Sequence, residues 1–178
     1  MFERVRLKIG ISLARFHFRK SRDPIIQFTN AVSRARRALI LLPESTGEAP
    51  YVHAVLRFLN QRFSGNSLQV VVRRDLAKYV VQNQNINMIL FDESEINKWF
   101  LPRKQLLQKV KKGTFDVVVD LNLRFALPSA FLCKESQAPV RISFAKPYAD
   151  MFYNLQVQTK DPTTLGAYKQ FQRCMEML

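Results

Sequence analysis

Residues 38–63 read ALILLPESTGEAPYVHAVLRFLNQRF, and their pattern changes once. Ala38–Leu42 is a continuous apolar run stopped by Pro43, the signature of a strand buried on both faces. A polar loop, Pro43–Pro50, follows. From Tyr51 to Phe63 the apolar residues Val52, Val55, Leu56, Leu59 and Phe63 recur at helical spacing, and Ser64-Gly65-Asn66 ends that helix.

The same strand–loop–helix unit repeats outward from there. Further strands are expected at Leu68–Val72, Asn87–Phe91, Phe115–Leu121 and Val140–Phe144. Between them the spacing predicts a short helix from Leu76 to Val81 capped by Asp75, and a longer one from Glu95 to Lys111 with Trp99, Leu106, Leu107 and Val110 inward and Gly113 as its C-cap. A helix from Ala126 to Glu135 carries Pro128 in its first turn. A last helix, Thr163–Met177, follows Asp161-Pro162. Five apolar strands alternating with helices give an α/β, Rossmann-like, doubly wound parallel sheet. Ligands of such sheets bind at the C-terminal ends of the strands. Those ends are Pro43–Pro50, Arg73–Asp75, Phe91–Ser94, Leu121–Phe125 and Phe144–Tyr148.

Ahead of the first strand the composition shifts. The chain has 178 residues, with 28 Lys and Arg against 14 acidic residues, a formal net charge of +14. Residues 1–37 alone contribute +8, from Arg4, Arg6, Lys8, Arg15, Arg19, Lys20, Arg22, Arg34, Arg36 and Arg37 against Glu3 and Asp23. Such a surplus favours an anionic partner. Within residues 1–22, Phe2, Val5, Ile9, Leu13 and Phe16 form a helical stripe, although Val5, Leu7, Ile9, Ile11 and Leu13 also alternate as in a strand. Gly10 weakens both patterns, and Asp23-Pro24 ends them before a short helix, Ile25–Ser33. The chain thus divides into a basic amphipathic arm, 1–37, a Rossmann-like domain, 38–154, and a helical tail, 155–178. As a helix the arm either docks on its own domain or meets an anionic membrane surface or an acidic protein. In the second case Phe2, Phe16 and Phe18 are expected to be exposed anchors.

Other chemistries lack their residues. There is no GxGxxG and no GxxxxGK[ST], so no cofactor is expected. His17 and His53 are the only histidines, Cys133 and Cys174 the only cysteines, and no spacing among them suits a metal. Both thiols are expected to be buried and free, which fits a reducing compartment. Ser45 and Ser129 lack a nucleophile-elbow context. Asp120, at a strand end, is expected to cap the following turn. Neither a cleavable leader nor an apolar run of about 20 residues is present, so the expected location is cytoplasmic, peripheral on the inner face of the inner membrane. Nucleic acid is a weaker partner, because no stacking sheet or helix-turn-helix accompanies the charge.

Three segments carry a resemblance. RALILLPESTGEAPYVHAVLRFL (37–59), FDVVVDLNLRFALPSAFL (115–132) and APVRISFAKPYADMFYN (138–154) are similar, in order and spacing, to the acceptor-side N-terminal domain of the ADP-heptose:lipopolysaccharide heptosyltransferase family. The resemblance spans about two thirds of the chain, Ala38–Asn154. It implies one half of a two-domain glycosyltransferase, without the domain that holds the nucleotide sugar. It also implies a general base after a glycine in the first loop, which corresponds to Glu48 after Gly47. The family has Asp there, so the carboxylate of Glu48 sits one methylene further out, and Pro43 and Glu44 replace small polar residues. On its own Glu48 reads as a solvated loop carboxylate. The sequence therefore points first to a non-catalytic accessory subunit of a membrane-associated complex, with half of a split glycosyltransferase as the alternative. A looser resemblance, carried by no motif, is to the accessory subunits of green-sulfur-bacterial photosynthetic reaction centres.

Overall fold

A computed structural model describes residues 2–63, 67–80, 86–161 and 163–178. The helices are α1 (Phe2–His17), α2 (Phe28–Arg34), α3 (His53–Arg62), α4 (Ala77–Val80), α5 (Lys104–Lys111), α6 (Leu127–Glu135) and α7 (Thr164–Glu176). The strands are β1 (Ala38–Leu41), β2 (Leu68–Arg73), β3 (Asn87–Phe91), β4 (Val117–Asp120), β5 (Val140–Phe144) and β6 (Leu155–Val157). They form one parallel sheet in the order β3-β2-β1-β4-β5-β6. The expected doubly wound α/β architecture is therefore present.

The sheet is the middle of three layers. Ile40, Val70, Val72, Val119, Ile142 and Phe144 point to the layer that holds α2, α3 and α7, where Leu56, Leu59, Tyr168 and Phe171 meet them. Leu39, Leu41, Val71 and Val118 point the other way, to α1, α5 and α6. β1 and β4 are buried along their whole length, which is why their sequences are continuously apolar rather than alternating. Each such Leu, Ile or Val contributes roughly 1.5–3 kcal/mol through burial.

Three local readings are corrected. The helix expected over Glu95–Lys111 is a 3₁₀ turn at Glu93–Glu95, a short loop and then α5. Pro102 lacks an N–H, the Asn97 side chain accepts from the Trp99 and Leu101 amides at 2.8 and 3.1 Å, and Phe100 has a φ of 60°. These features close a turn where the apolar spacing suggests a helix. Asp75 does not cap its helix; it lies within a 3₁₀ turn and accepts from Arg73 Nε and Nη2 at 2.7 and 2.8 Å. The helix read from Tyr51 begins as a 3₁₀ turn at Ala49–Tyr51, and α3 starts at His53. Strand β6 has no counterpart among the expected strands. Its three residues, Leu-Gln-Val, are too few to show a period, and pairing with β5 defines it. The Ser64-Gly65-Asn66 stop and the Val81 end of the short helix lie outside the described residues.

The segment ahead of β1 forms the helix α1, and of its two expected placements the stripe Phe2, Val5, Ile9, Leu13 and Phe16 takes the outward one, facing solvent. The inner face consists of Gly10, Ile11 and Ala14, with Leu7 and Phe18 half-buried. Small residues are needed there. A Cβ at Gly10 would run into the Trp99 carbonyl oxygen and would lie 2.7 Å from Leu127 Cδ2. Gly10 therefore permits a close helix crossing, at a propensity cost of about 1 kcal/mol. Arg6 adds a hydrogen bond from Nε to the Lys98 carbonyl at 2.6 Å, and its guanidinium sits 4.9 Å from the Phe100 ring centre. At the other end His17 Nε2 lies 2.9 Å from Glu135 Oε2.

Candidate functional site

The strand order reverses direction between β1 and β4, so the loops leaving these two strands diverge and a crevice opens between them. In this molecule polar side chains fill that crevice. Asp120, the last residue of β4, has no exposed surface. Its Oδ1 accepts from the Asn122 amide at 2.9 Å and from Asn122 Nδ2 at 2.6 Å, which is the turn cap its position suggested. Its Oδ2 accepts from Lys146 Nζ at 3.0 Å and from the Tyr153 hydroxyl. The Lys146 side chain is 2% exposed and also donates to the Asn122 carbonyl at 2.7 Å. A buried pair of opposite charges is tolerable only when further hydrogen bonds satisfy both ions, and here they do. Burial, reinforced by the neighbouring Asp120 charge, holds the Tyr153 hydroxyl well above its usual range, so it acts as a neutral donor.

The loop after β1 is fastened to the loop after β4. The Glu44 amide donates to Asn122 Oδ1 at 2.9 Å, and Ser129 Oγ donates to Glu44 Oε1 at 2.7 Å. Glu48 is 8% exposed, and its Oε2 accepts from the Leu123 amide at 3.0 Å. Glu48 is thus not a solvated loop carboxylate: it crosses the crevice and holds Leu123. Burial raises the carboxyl pKa of both Glu44 and Glu48 above the ordinary value of 4.5, partly opposed by these same hydrogen bonds. A carboxylate raised in this way suits proton abstraction, but a general base also needs an oxygen within about 3 Å of its substrate. Here one oxygen of Glu48 is already committed to the backbone of the opposite loop.

A second hollow, of about 360 Å³, lies beside the crevice over the ends of β2 and β3. Glu44, Arg73, Phe91 and Phe100 line it, and Glu3 and Arg6 of α1 close one side.

The residues expected to contact a partner separate into two groups. Phe2 and Phe16 are 86% and 63% exposed, and Arg4, Lys8, Arg15, Arg19, Lys20, Arg22, Arg34, Arg36 and Arg37 are also exposed. Phe18 is not an exposed anchor: its ring centre lies 4.8 Å from that of Phe131 and 6.2 Å from that of Phe152. The chain turns inward after α1, so Phe18 falls on the docked side. Arg6 is half-buried and engaged as described above. Arg34 and Arg36 lie at the opposite, N-terminal edge of the sheet, lining a separate hollow with Arg62. The basic segment is therefore two surfaces rather than one. Cys133 is buried and Cys174 half-buried, both free. Among the described residues, no group of His, Cys, Asp and Glu could hold a metal ion. Among the described residues, no helix is long and apolar enough to cross a membrane.

Sequence reasoning located Asp120 and Glu48 but missed Glu44, Asn122, Lys146 and Tyr153. Their partners lie up to 85 residues away, and no local spacing marks such contacts.

No family model matches this sequence, and no curated protein matches it. Solved structures do. A glycosyl transferase family 9 protein from Veillonella parvula matches with a TM-score of 0.62 at 17% identity, over 80% of this chain and 41% of its own. The E. coli heptosyltransferase WaaC, solved with ADP, matches with a TM-score of 0.54 at 18% identity, over 77% of this chain and 46% of its own. WaaC with ADP-2-deoxy-2-fluoro heptose matches equally well, at 19% identity. The resemblance to photosynthetic accessory subunits gains nothing from these comparisons. The chain spans less than half the length of these glycosyltransferases, and what it shares with them is their heptosyltransferase-like, Rossmann-type fold.

Proposed function

We propose that this chain is a non-catalytic scaffold: a glycosyltransferase-like half-domain serving as a peripheral accessory subunit of a larger complex at the cytoplasmic face of a membrane. The single observation that carries this reading is the saturated crevice. Glu48, at the position where the resemblance implies a base, commits one carboxylate oxygen to the Leu123 amide, and Asp120, Asn122 and Lys146 satisfy one another. A fold reused in this way need not keep its relatives' chemistry. The surplus of positive charge supports an anionic partner, either an acidic protein or the membrane itself.

The test is purification from the native host at native expression, with mass spectrometry of stoichiometric partners and a glycosyl-transfer assay on the purified assembly. A stable complex without transfer activity is the expected result. Transfer activity that Glu48→Gln abolishes in an intact assembly would establish the second reading, the acceptor-side half of a split glycosyltransferase. One observation favours that alternative: burial raises the pKa of two carboxyls, Glu44 and Glu48, beside an open hollow at the strand ends.

A further inference from the structure

We propose that the outer face of α1 lies in the plane of an anionic lipid bilayer, with Phe2, Val5, Ile9, Leu13 and Phe16 entering the boundary between headgroups and acyl chains. This deepens the peripheral-scaffold reading by committing its anionic partner to lipid and assigning the contact to one helix face.

At 100° per residue the five side chains fall within an arc of about 80°, and from Phe2 to Phe16 they extend about 21 Å along the axis. All five are exposed. The opposite side of the helix is fully used, since Gly10, Ile11 and Ala14 are buried against α6 and the Trp99 loop. The stripe therefore lies outside the core, with the Arg19 guanidinium resting 3.9 Å from the Phe16 ring centre. It is also convex, being the outside of a single helix.

Charge then selects the occupant. Arg4, Lys8 and Arg15 project between the docked face and the apolar stripe, and Arg19, Lys20 and Arg22 follow at the end of the helix. Among the described residues, Arg4, Lys8, Arg15, Lys20 and Arg22 form no ion pair. The helix has a single acidic residue, Glu3. A row of cations beside an apolar stripe matches the two layers of a bilayer, phosphate above and hydrocarbon below. A second copy would bring the same cations against these, in a chain already at +14. The apolar surface also continues past the helix. A shallow hollow of about 530 Å³ is floored by Leu101 and Phe131 beside Leu13 and Phe16, and Arg19 and Lys20 stand at its rim.

The experiment is flotation of the full chain with vesicles of phosphatidylcholine alone and vesicles rich in phosphatidylglycerol. The wild type is expected to float with the anionic vesicles and not with the neutral ones. The triple variant Phe2→Ser, Leu13→Ser, Phe16→Ser is expected to keep its circular dichroism and lose binding by at least about tenfold. A Phe16→Trp variant is expected to show a blue-shifted emission component, quenched by brominated acyl chains, on the anionic vesicles. The idea is overturned if the triple variant floats like the wild type, if the wild type does not float, or if the new tryptophan stays in water. Stripe-dependent capture by polyglutamate without vesicle binding also overturns it, in favour of an acidic protein. A negative vesicle result with a stable native complex removes the lipid contact and leaves the scaffold reading standing. Vesicle binding without any complex does the reverse.

Discussion

At the C-terminal edge of the sheet, Asp120, Lys146 and Asn122 are buried and hydrogen-bonded to one another, and the buried Glu48 accepts from the Leu123 amide. Along the outer face of α1, Phe2, Val5, Ile9, Leu13 and Phe16 lie outside the core and are exposed. Elementary physical chemistry would place each set where the other is: charges in water, large apolar groups in the core. The crevice resolves its inversion internally, by hydrogen bonds. On the proposed reading, the helix resolves its own externally, in lipid. On the same reading, a hydrogen-bonded crevice where this fold ordinarily meets a small ligand, together with an open apolar face elsewhere, marks a molecule that attaches rather than transforms.

The contrast is most exposed to failure at Asp120. Replacing it with Ala strands a buried lysine ammonium, and the expected loss is about 3–5 kcal/mol in urea unfolding. A loss near zero would mean that water already reaches the crevice and that its saturation is illusory. Next in size is Gly10→Ala. The added methyl meets the Trp99 carbonyl, a backbone group that cannot swing aside. A net destabilisation of about 1–3 kcal/mol is expected despite the gain in helix propensity. An increase in stability would show that α1 is not closely seated.

A smaller effect is expected from Glu48→Gln, about 1 kcal/mol, and its dependence on pH is the informative part. The folded-state pKa of Glu48 lies above the ordinary 4.5, so this group's contribution to stability is fully present below that value and is lost as pH rises through the folded pKa. The stability difference between variant and wild type should therefore move in the variant's favour as pH rises above 4.5. A pH-independent difference would place Glu48 in solvent. The smallest effect sharpens the other side of the comparison. Phe2→Ser should leave stability within about 0.5 kcal/mol of wild type, because that side chain is 86% exposed. A loss above that would mean the stripe packs somewhere in the molecule.

How much of this was readable beforehand depends on how local each cause is. The strands around Ile40, Val70, Val118 and Ile142 were legible because burial on both faces leaves an unbroken apolar run. Leu155–Val157 was not, since three residues carry no period. Over Glu95–Lys111 the apolar spacing suggested one helix, while Pro102 and the Asn97 side chain, local signals of another kind, imposed a turn. For α1 the apolar period is legible, and whether its stripe faces the domain or a partner is not. A hydrophobic stripe identifies a face and does not say what covers it. The better sign was the pair Gly10 and Ala14, whose missing bulk marks a close approach. In the crevice, Asp120 and Glu48 stood out by position on strand and loop, but their partners come from other elements and no spacing connects them.

The close seating of α1 also acts as a compass. Its start lies beside Glu44 and Arg73 at the strand ends, and its finish lies beside Glu135 at the far end of α6. The helix therefore runs parallel to α6 and antiparallel to the strands, and Gly10 leaves it little room to pivot. Whatever surface lies along α1 must present the whole domain side-on, with the strands level to that surface. The loops at the strand ends then look sideways along the surface rather than up or down, so a neighbour reaching them has to arrive laterally, gliding over the same plane.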